Sequence, residues 1–330
     1  MPMAIIVDAK ATLSTVMVRI IGINEFKLGT HSRVARSGGG RAEIAMVLDT
    51  TGSMSGRKID TLKTAARNLI QDTLKANNGK AEPLVKIGIV PFAQYVNVGV
   101  SRRNESWIDV PADYRTSVRV CTGKNKKKKC TIGYTDHKFY GCAGSRNYPY
   151  NVRDEGYSFG RVPGLMDVTC ANEITDLTTN QGRLISAVET LKAQGWTYIG
   201  SGLAWGWRML SPDAPLIQGV PYADMDKTST RKFVILMTDG ENTRAPSYPE
   251  HESTSNSLAN KLTTELCENV KASKIQIFTV AFEVNDTRTL GMLESCATEP
   301  GYAFDARSSS ELLASFSTIS KKLSQLRIAE

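Results

Sequence analysis

The chain has 330 residues, of which 41% are apolar and 22% are charged, with a net charge of +8 at neutral pH. That length allows one large domain, or one domain with a sizeable insert. A basic balance would suit nucleic acid or an anionic surface. Because the sequence contains no RNP motif, zinc finger or basic helix, and part of the excess charge lies in the lysine run 126–129, we do not expect nucleic-acid binding.

The cysteines favour an exported protein. There are six, none in a CxxC pair, and the three histidines are scattered, so a zinc site is not expected. An even number of cysteines without a catalytic context predicts disulfides and an oxidising compartment. No secretory signal is visible, and no apolar stretch reaches the ~18 residues that span a membrane. The chain is therefore cytosolic, or a fragment without its export or anchoring segment, and the cysteines favour the second explanation.

Residues 1–40 are predicted to form a small β-rich extension. The segment 15–23, TVMVRIIGI, is typical of a strand, and we expect two or three strands within 10–36. The glycines at 38–40 mark a flexible joint before the next element.

The central strand is predicted at 44–48, an unbroken apolar run that a Gly- and Ser-containing turn follows. Asp49, Thr51 and Ser53 occupy every second position of that turn. In open α/β sheets, ligands bind at the carboxyl ends of the strands. Clustered oxygen ligands without His or Cys suit Mg²⁺, Ca²⁺ or Mn²⁺ rather than zinc.

Three elements are predicted after this turn. Residues 58–76 have the spacing of an amphipathic helix, and 85–92 form a second buried strand. The segment 95–100 follows closely, so we expect it to be an antiparallel neighbour at the edge of the sheet.

Residues 101–178 interrupt the pattern with an insert that holds four cysteines and shows no helical period. A loop of this length is uncommon in a compact domain, so we expect it to be stapled by two disulfides. The simplest pairing joins Cys121 to Cys130 and Cys142 to Cys170, but four cysteines allow three pairings.

The alternation of helix and strand then resumes and continues to the end of the chain. Helices are predicted at 181–193, 201–210, 257–272, 287–296 and 310–326, and strands at 232–237, 274–282 and 302–304. This order predicts the α/β class: a doubly wound, mostly parallel, Rossmann-like sheet with helices on both faces, a small β-rich N-terminal extension and a Cys-rich insert.

Cys267 and Cys296 lie near the helix ends that flank strand 274–282. A bridge between them would close a loop of about 30 residues and stabilise the fold by roughly 3–4 kcal/mol. Two free buried thiols are the alternative.

Three loops at strand ends supply candidate metal ligands: Asp49, Thr51 and Ser53 in the first, Thr197 in the second, and Asp239 in the third. Two carboxylates brought together would repel and raise each other's pKa, and a divalent cation removes that conflict. Mg²⁺, with Mn²⁺ or Ca²⁺ as alternatives, accepts such oxygens together with water. One coordination position would stay open for a carboxylate of a partner.

The motifs DTTGSMS, GWTYIGSG and MTDGEN together resemble the three segments of the metal-ion-dependent adhesion site of von Willebrand factor A domains. The family pattern is Asp-x-Ser-x-Ser, then a distant Thr, then a distant Asp. The resemblance covers 43–100 and 180–326, implies an A domain over 41–330 with the insert at about 101–178, and implies one set of metal ligands: Asp49, Thr51, Ser53, Thr197 and Asp239. The departure is threonine for serine at 51, which keeps the hydroxyl.

A narrower resemblance concerns the flanking sequences MVLDTTGSMSG, VKIGIVPFAQYVNVG and GSGLAWGWRMLSP, which are similar to bacterial TadG-like proteins of the tight-adherence pilus system. It implies a non-enzymatic adhesion or assembly module in the periplasm, the outer membrane or the cell surface. Its partner would be a pilus or envelope component, or a host or surface ligand, that presents a carboxylate. The family carries an N-terminal membrane anchor, so this protein would be anchored through a segment outside the chain.

Two alternative functions remain open. One is a structural pilus component with a vestigial metal site. The other is a metal-dependent hydrolase, which needs a general base, but no histidine lies in the site segments. The sequence 156–160 matches the G-x-S-x-G nucleophile elbow, but it lies in the insert rather than between a strand and a helix, so esterase activity is not expected.

Several residues near the candidate site have simpler interpretations. Trp196, Trp205 and Trp207 are expected to pack in the core or between helices rather than to form a binding surface. Glu241 and Asn242 follow Asp239 and either tune the site or are plain loop residues.

Overall fold

The computed structural model describes residues 3–14, 25–36, 40–122 and 129–328. The strands of this part of the chain are, in order, β1 (Met3–Ser14), β2 (Glu25–Arg36), β3 (Arg41–Asp49), β4 (Val85–Phe92), β5 (Val96–Asn97), β6 (Ile108–Asp109), β7 (Tyr114–Thr122), β8 (Lys129–His137), β9 (Phe139–Ala143), β10 (Val162–Met166), β11 (Thr175–Thr178), β12 (Thr230–Thr238), β13 (Ile275–Phe282) and β14 (Ala303–Ala306). The α-helices are α1 (Arg57–Leu74), α2 (Gln181–Glu189), α3 (Ile199–Leu210), α4 (Asn256–Ala272), α5 (Thr287–Cys296) and α6 (Ser309–Ile328).

The N-terminal extension contains an antiparallel hairpin of β1 and β2. The strand-like segment 15–23 and the glycines at 38 and 39 lie outside the described residues.

The main sheet has six strands in the order β11-β4-β3-β12-β13-β14. Five of them are parallel, and only β11 is antiparallel to its neighbour β4. The predicted mostly parallel α/β fold is therefore confirmed. The central strand β3 lies between β4 and β12, and its residues 44–48 have no exposed surface, as expected for a parallel strand covered on both faces.

Helices cover both faces of this sheet. Ile44, Met46 and Leu48 of β3 belong to a core with apolar residues of α1, α2 and α6. The alternate residues Ala45 and Val47 belong to a second core with α3, α4 and α5. Because side chains alternate across a strand, one apolar run fills both cores.

Helix α3 lies close against the sheet because it contains two glycines where a side chain would collide. A Cβ at Gly202 would lie 2.5 Å from the ring of Phe92, and one at Gly206 would lie 2.4 Å from Val47. The motif GSGLAWGW therefore allows this helix to approach the strands that end at the candidate site, which places the start of α3 beside their carboxyl ends.

The insert is largely β-structure rather than the irregular loop predicted above. Its strands β6, β9 and β10 form a four-stranded sheet with β5, which precedes the insert, in the order β5-β9-β10-β6, and its strands β7 and β8 form a hairpin. Most of these strands have two to five residues, which is too short to give a readable alternation in sequence.

The expectation for 95–100 is wrong. A turn in which Ala93 N–H donates to Tyr95 O (3.1 Å) leads the chain away from the main sheet, and β5 pairs with β9 instead. The antiparallel edge strand is β11, at the end of the predicted insert.

All three predicted disulfides are present: Cys121–Cys130, Cys142–Cys170 and Cys267–Cys296. The third joins α4 to the end of α5. Within the described ranges, no helix combines the length and the apolar character needed to cross a membrane.

Candidate metal centre

The candidate site lies at the carboxyl edge of the main sheet, where three loops meet. β3 ends at Asp49, and Asp239 directly follows its parallel neighbour β12. The second loop precedes α3 and carries Thr197. Neighbouring parallel strands end at the same edge of a sheet, which brings the first and third predicted segments together.

Backbone contacts join these loops. Gly52 N–H in the first loop donates to Gly195 O (3.0 Å) in the second. Two hydrogen bonds join the second loop to the third. Thr197 N–H donates to Thr243 Oγ1 (2.9 Å), and Thr243 N–H donates to Thr197 O (2.9 Å). The candidate ligands are therefore held by loops that support one another.

Four of the five predicted residues form one chain of hydrogen-bonded oxygens. Thr51 Oγ1 lies 2.6 Å from Asp49 Oδ1 and 3.0 Å from Ser53 Oγ. Ser53 Oγ lies 2.6 Å from Asp239 Oδ1. Two carboxylates from distant segments are thus connected through two hydroxyl groups.

This chain of oxygens has one proton too few to make all of its hydrogen bonds when both carboxylates are ionised. It contains three short oxygen–oxygen contacts, whereas the hydroxyls of Thr51 and Ser53 have one proton each and an ionised carboxylate has none. The deficit is removed if one carboxyl group is protonated or if a cation binds the oxygens. The geometry therefore suits a positively charged ligand.

The pKa of Asp49 reflects the same conflict. Burial, and next the charge of Asp239, raise the pKa of Asp49 to about 6, although hydrogen bonds from Thr238 and Thr51 favour its ionised form. Thr238 Oγ1 donates to Asp49 Oδ2 (2.6 Å). The Asp49 side chain is fully buried and Asp239 is 5% exposed, so little solvent is available to separate the two charges.

The spacing and chemistry of these oxygens fit a hard divalent cation. Adjacent ligands of an octahedral Mg²⁺ at roughly 2.0–2.1 Å lie about 2.9 Å apart, close to the 2.6 and 3.0 Å separations around Ser53. Within the part of the chain that the structure describes, no three His, Cys, Asp or Glu side chains form a metal-binding group. A site here therefore depends on hydroxyls and suits Mg²⁺, Mn²⁺ or Ca²⁺ better than zinc.

Thr197 does not belong to the chain of hydrogen-bonded oxygens. The residue is buried, and its backbone is held by Thr243 as described above. Its hydroxyl makes no hydrogen bond to the other four candidate ligands among the described residues. That hydroxyl is available to a ligand.

Of two further residues at the site, Lys58 was not predicted, whereas Asn242 was named as a residue that either tunes the site or is a plain loop residue. Lys58 Nζ, in the first turn of α1, donates to Asp239 Oδ2 (2.7 Å). Asn242 is fully buried, and its Oδ1 accepts from Ile199 N–H (2.7 Å), which caps α3 and fixes the loop of Thr197. Lys58 lies nine residues after Asp49, at the start of a helix, and this position in the sequence was a usable signal that it lies near the site. Glu241, by contrast, is an exposed loop residue.

Trp196 departs from the expectation that the tryptophans are buried. Trp205 and Trp207 are buried, but Trp196 is 55% exposed. The guanidinium of Arg244 stacks over its ring at 4.2 Å. Because Trp196 directly precedes Thr197, this pair lies on the same edge as the candidate metal centre.

A pocket of about 310 Å³ opens next to the first two loops and is bordered by the insert. Its lining includes Thr50, Gln94, Asp167, Asn172, Gln194 and Gly195. Thr50 and Gly195 belong to the loops of the candidate ligands, so a molecule bound at the metal centre could extend into this pocket.

The described residues provide no arrangement that favours hydrolysis. Ser158 lies in a short 3-10 turn (Tyr157–Phe159) without the strand and helix of a nucleophile elbow. Ser145 Oγ lies 2.6 Å from His251 Nε2, but His251 is buried and the cavity beside it measures about 10 Å³, roughly the space of one water. Burial lowers the pKa of His251 to about 4, which makes it a weak base at neutral pH.

The von Willebrand factor type A domain model matches residues 167–318, which include Thr197 and Asp239 but not the first loop. No curated protein sequence matches the chain.

Several solved structures share the fold. The vWF domain of the type V pili tip protein Mfa5 from Porphyromonas gingivalis has a TM-score of 0.51 at 11% identity, over 87% of this chain and 96% of that one. The adhesive tip pilin GBS104 from Group B Streptococcus agalactiae has a TM-score of 0.50 at 10% identity, over 86% and 99%. The pilus adhesin SpaC from Lactobacillus rhamnosus GG, in its open conformation, has a TM-score of 0.50 at 14% identity, over 90% and 32%.

The chain spans about a third of the length of SpaC. At these identities the likeness concerns the fold alone. The family match covers residues 167–318, which supply β11, β12, β13 and β14 of the main sheet.

Proposed function

We propose that this protein is a non-enzymatic, metal-ion-dependent adhesion or assembly module. A divalent cation, Mg²⁺ with Mn²⁺ or Ca²⁺ as alternatives, would be held by Asp49, Thr51, Ser53, Thr197 and Asp239. The supporting observation is the chain of oxygens that joins two buried carboxylates through two hydroxyls and has one proton too few. The cation would bind an acidic group of a protein partner at its open position.

The cellular setting that we propose is a bacterial tight-adherence pilus or another cell-envelope system. Three disulfides suit an oxidising compartment outside the cytoplasm. The TadG-like flanking sequences, and the pilus proteins among the solved structures of the same fold, motivate the assignment to a pilus. The partner would be a pilus or envelope component, or a host or surface ligand.

A binding role explains the surface around the site better than catalysis does. The exposed Trp196 with its stacked Arg244 offers an aromatic and cationic contact of the kind that dominates protein interfaces. The neighbouring pocket of about 310 Å³ could receive a side chain of the partner. No histidine among the described residues is placed as a general base beside the two carboxylates.

One observation favours the alternative of a structural component with a vestigial site. Lys58 already supplies a positive charge to Asp239 at 2.7 Å. If that ammonium permanently replaces the metal, the domain would hold its partners without a cation.

Metal titration tests the proposal. Asp49→Ala and Asp239→Asn should abolish Mg²⁺ and Mn²⁺ binding in calorimetry, while circular dichroism shows a folded domain. Asp72→Asn is the matched control, because Asp72 is a partly exposed carboxylate at the far end of α1 whose partner, Lys75, is also exposed. Unchanged metal affinity in both site variants would disprove the site.

A pull-down from cell envelope, with and without EDTA, tests the adhesive role. We expect wild-type protein to retain partners only without EDTA and Asp49→Ala to retain none. Capture that persists in EDTA, and with Asp49→Ala, would favour the structural alternative.

A further inference from the structure

Lys58 reaches from the first turn of α1 into the candidate metal centre. Its Nζ lies 2.7 Å from Asp239 Oδ2, whereas the other oxygen, Oδ1, accepts a hydrogen bond from Ser53 Oγ. The Asp239 side chain has no exposed surface, and the Lys58 side chain is 21% exposed. A charge-assisted hydrogen bond in so little solvent is a strong one.

The Lys58 ammonium and a divalent cation compete for the negative charge of Asp239. Asp49 and Asp239 carry two negative charges when both are ionised, and Lys58 offsets one of them. A divalent cation would offset both. An ammonium that remained on Asp239 would then repel the metal across a few ångströms of poorly solvated space.

A second acceptor for the ammonium lies nearby. Glu283 directly follows β13, and its Oε2 is 3.9 Å from Lys58 Nζ. Its other oxygen, Oε1, accepts from Arg57 Nη2 (2.7 Å), which holds the carboxylate in place. A rotation of the Lys58 side chain can therefore move its ammonium from Asp239 to Glu283.

We propose that Lys58 is an internal counter-cation of this site: its ammonium neutralises Asp239 when no divalent cation is bound and moves to Glu283 when one binds. This inference rests on the proposed metal site and adds a residue that sets its affinity. The work of moving the ammonium is subtracted from the binding free energy of the metal. Lys58 therefore weakens cation binding and stabilises the metal-free domain.

The first test compares Lys58→Met with wild type in the full chain, with Mn²⁺ as the probe in calorimetry. We expect the Mn²⁺ dissociation constant of Lys58→Met to be about tenfold lower than that of wild type. Lys75→Met is the matched control, because Lys75 also pairs with an aspartate at 2.7 Å but is largely exposed and distant from the site. Its dissociation constant should equal that of wild type.

The second test measures thermal stability without metal. In EDTA, Lys58→Met should melt about 3 °C below wild type, because the two carboxylates lose their counter-charge. Saturating Mn²⁺ should raise its Tm by more than it raises that of wild type. Opposite effects on the metal-free and metal-bound forms distinguish a counter-cation from a residue that merely packs.

A third variant, Glu283→Gln, tests the alternative position of the ammonium. It should weaken Mn²⁺ binding in the wild-type background, because Lys58 then has no acceptor to move to. In the Lys58→Met background the same change should have a smaller effect, since only the direct charge of Glu283 on the metal remains. Equal effects in the two backgrounds would refute the move to Glu283.

The outcomes separate this inference from the proposed function. If Lys58→Met binds Mn²⁺ no more tightly than wild type does, Lys58 is not the counter-cation, whether or not wild type binds the metal. If Mn²⁺ binding is unaffected by Asp49→Ala, the metal site itself is wrong. If only Lys58→Met binds Mn²⁺, Lys58 blocks the wild-type site permanently, which refutes both the move to Glu283 and the proposed metal-dependent function.

Discussion

Ser53 Oγ donates a 2.6 Å hydrogen bond to Asp239 Oδ1, although 186 positions of sequence separate the two residues. The contact exists because β3 and β12 are parallel neighbours whose carboxyl ends meet at one edge of the sheet. It links the first and third loops and completes the chain of oxygens from Asp49 to Asp239.

Thr51 is expected to act through its hydroxyl alone. Thr51→Ser keeps that hydroxyl and should change the Mn²⁺ dissociation constant by no more than about twofold, whereas the similarly shaped Thr51→Val should weaken it by about tenfold or more. Calorimetry with both variants checks this. Equal affinities for the two would mean that the hydroxyl of Thr51 does not contact the metal.

Trp196 is expected to bind the partner and not the metal. Trp196→Ala should weaken retention on cell-envelope preparations by about 30-fold, the effect of losing an interface residue worth about 2 kcal/mol, and should leave Mn²⁺ affinity unchanged. Phe159→Ala is the matched control, because Phe159 is a similarly exposed aromatic residue, 61% against 55%, in the insert. Equal retention of Trp196→Ala and wild type would remove Trp196 from the interface.

The Cys267–Cys296 disulfide is expected to stabilise the whole domain. It closes 29 residues between α4 and α5, so replacing both cysteines by alanine should lower the free energy of unfolding by about 3–4 kcal/mol. Guanidinium unfolding measures this. The same double replacement at Cys121 and Cys130, which join two strands of an exposed hairpin, should leave the global unfolding midpoint almost unchanged. A comparable loss there would mean that the hairpin unfolds together with the core.

His251 is expected to make the domain less stable in acid. Burial lowers its pKa to about 4 in the folded state, against 6.5 in the unfolded chain, so the unfolded state takes up a proton first as the pH falls. Its contribution to stability is complete above pH 6.5 and is lost between pH 6.5 and about 4. The difference between the two pKa values corresponds to about 3 kcal/mol.

The measurement compares the pH dependence of unfolding in wild type and His251→Asn. Asp49 contributes the opposite slope, because its pKa is raised from 3.8 to about 6 and its stabilising effect is lost as the pH rises through that range. The difference between the two proteins isolates His251. Parallel curves for both would show that His251 does not keep its low pKa in solution.

Most of the α/β framework could be predicted from the sequence. The central strand, for example, was predicted at 44–48 and lies at Arg41–Asp49, and the first helix was predicted at 58–76 and lies at Arg57–Leu74. Long apolar runs and 3.6-residue periodicity report burial on a local scale, so a single sequence carries them. The short strands of the insert give no such signal.

The site was partly predictable for a similar reason. Asp49, Thr51 and Ser53 are close in sequence, so their shared turn places their oxygens together whatever the rest of the chain does. The exposure of Trp196 could not be predicted, because large apolar residues occur on surfaces as well as in cores.

The sequence by itself therefore determined the strands and helices of the main domain, the residue types of a candidate cation site and an even set of cysteines. Only the tertiary structure decided the order of the strands, and with it the meeting of Ser53 with Asp239 and the reach of Lys58 to the same carboxylate. The physical reason is that periodicity records how each segment is buried, whereas the choice of neighbouring segment depends on packing across the whole core.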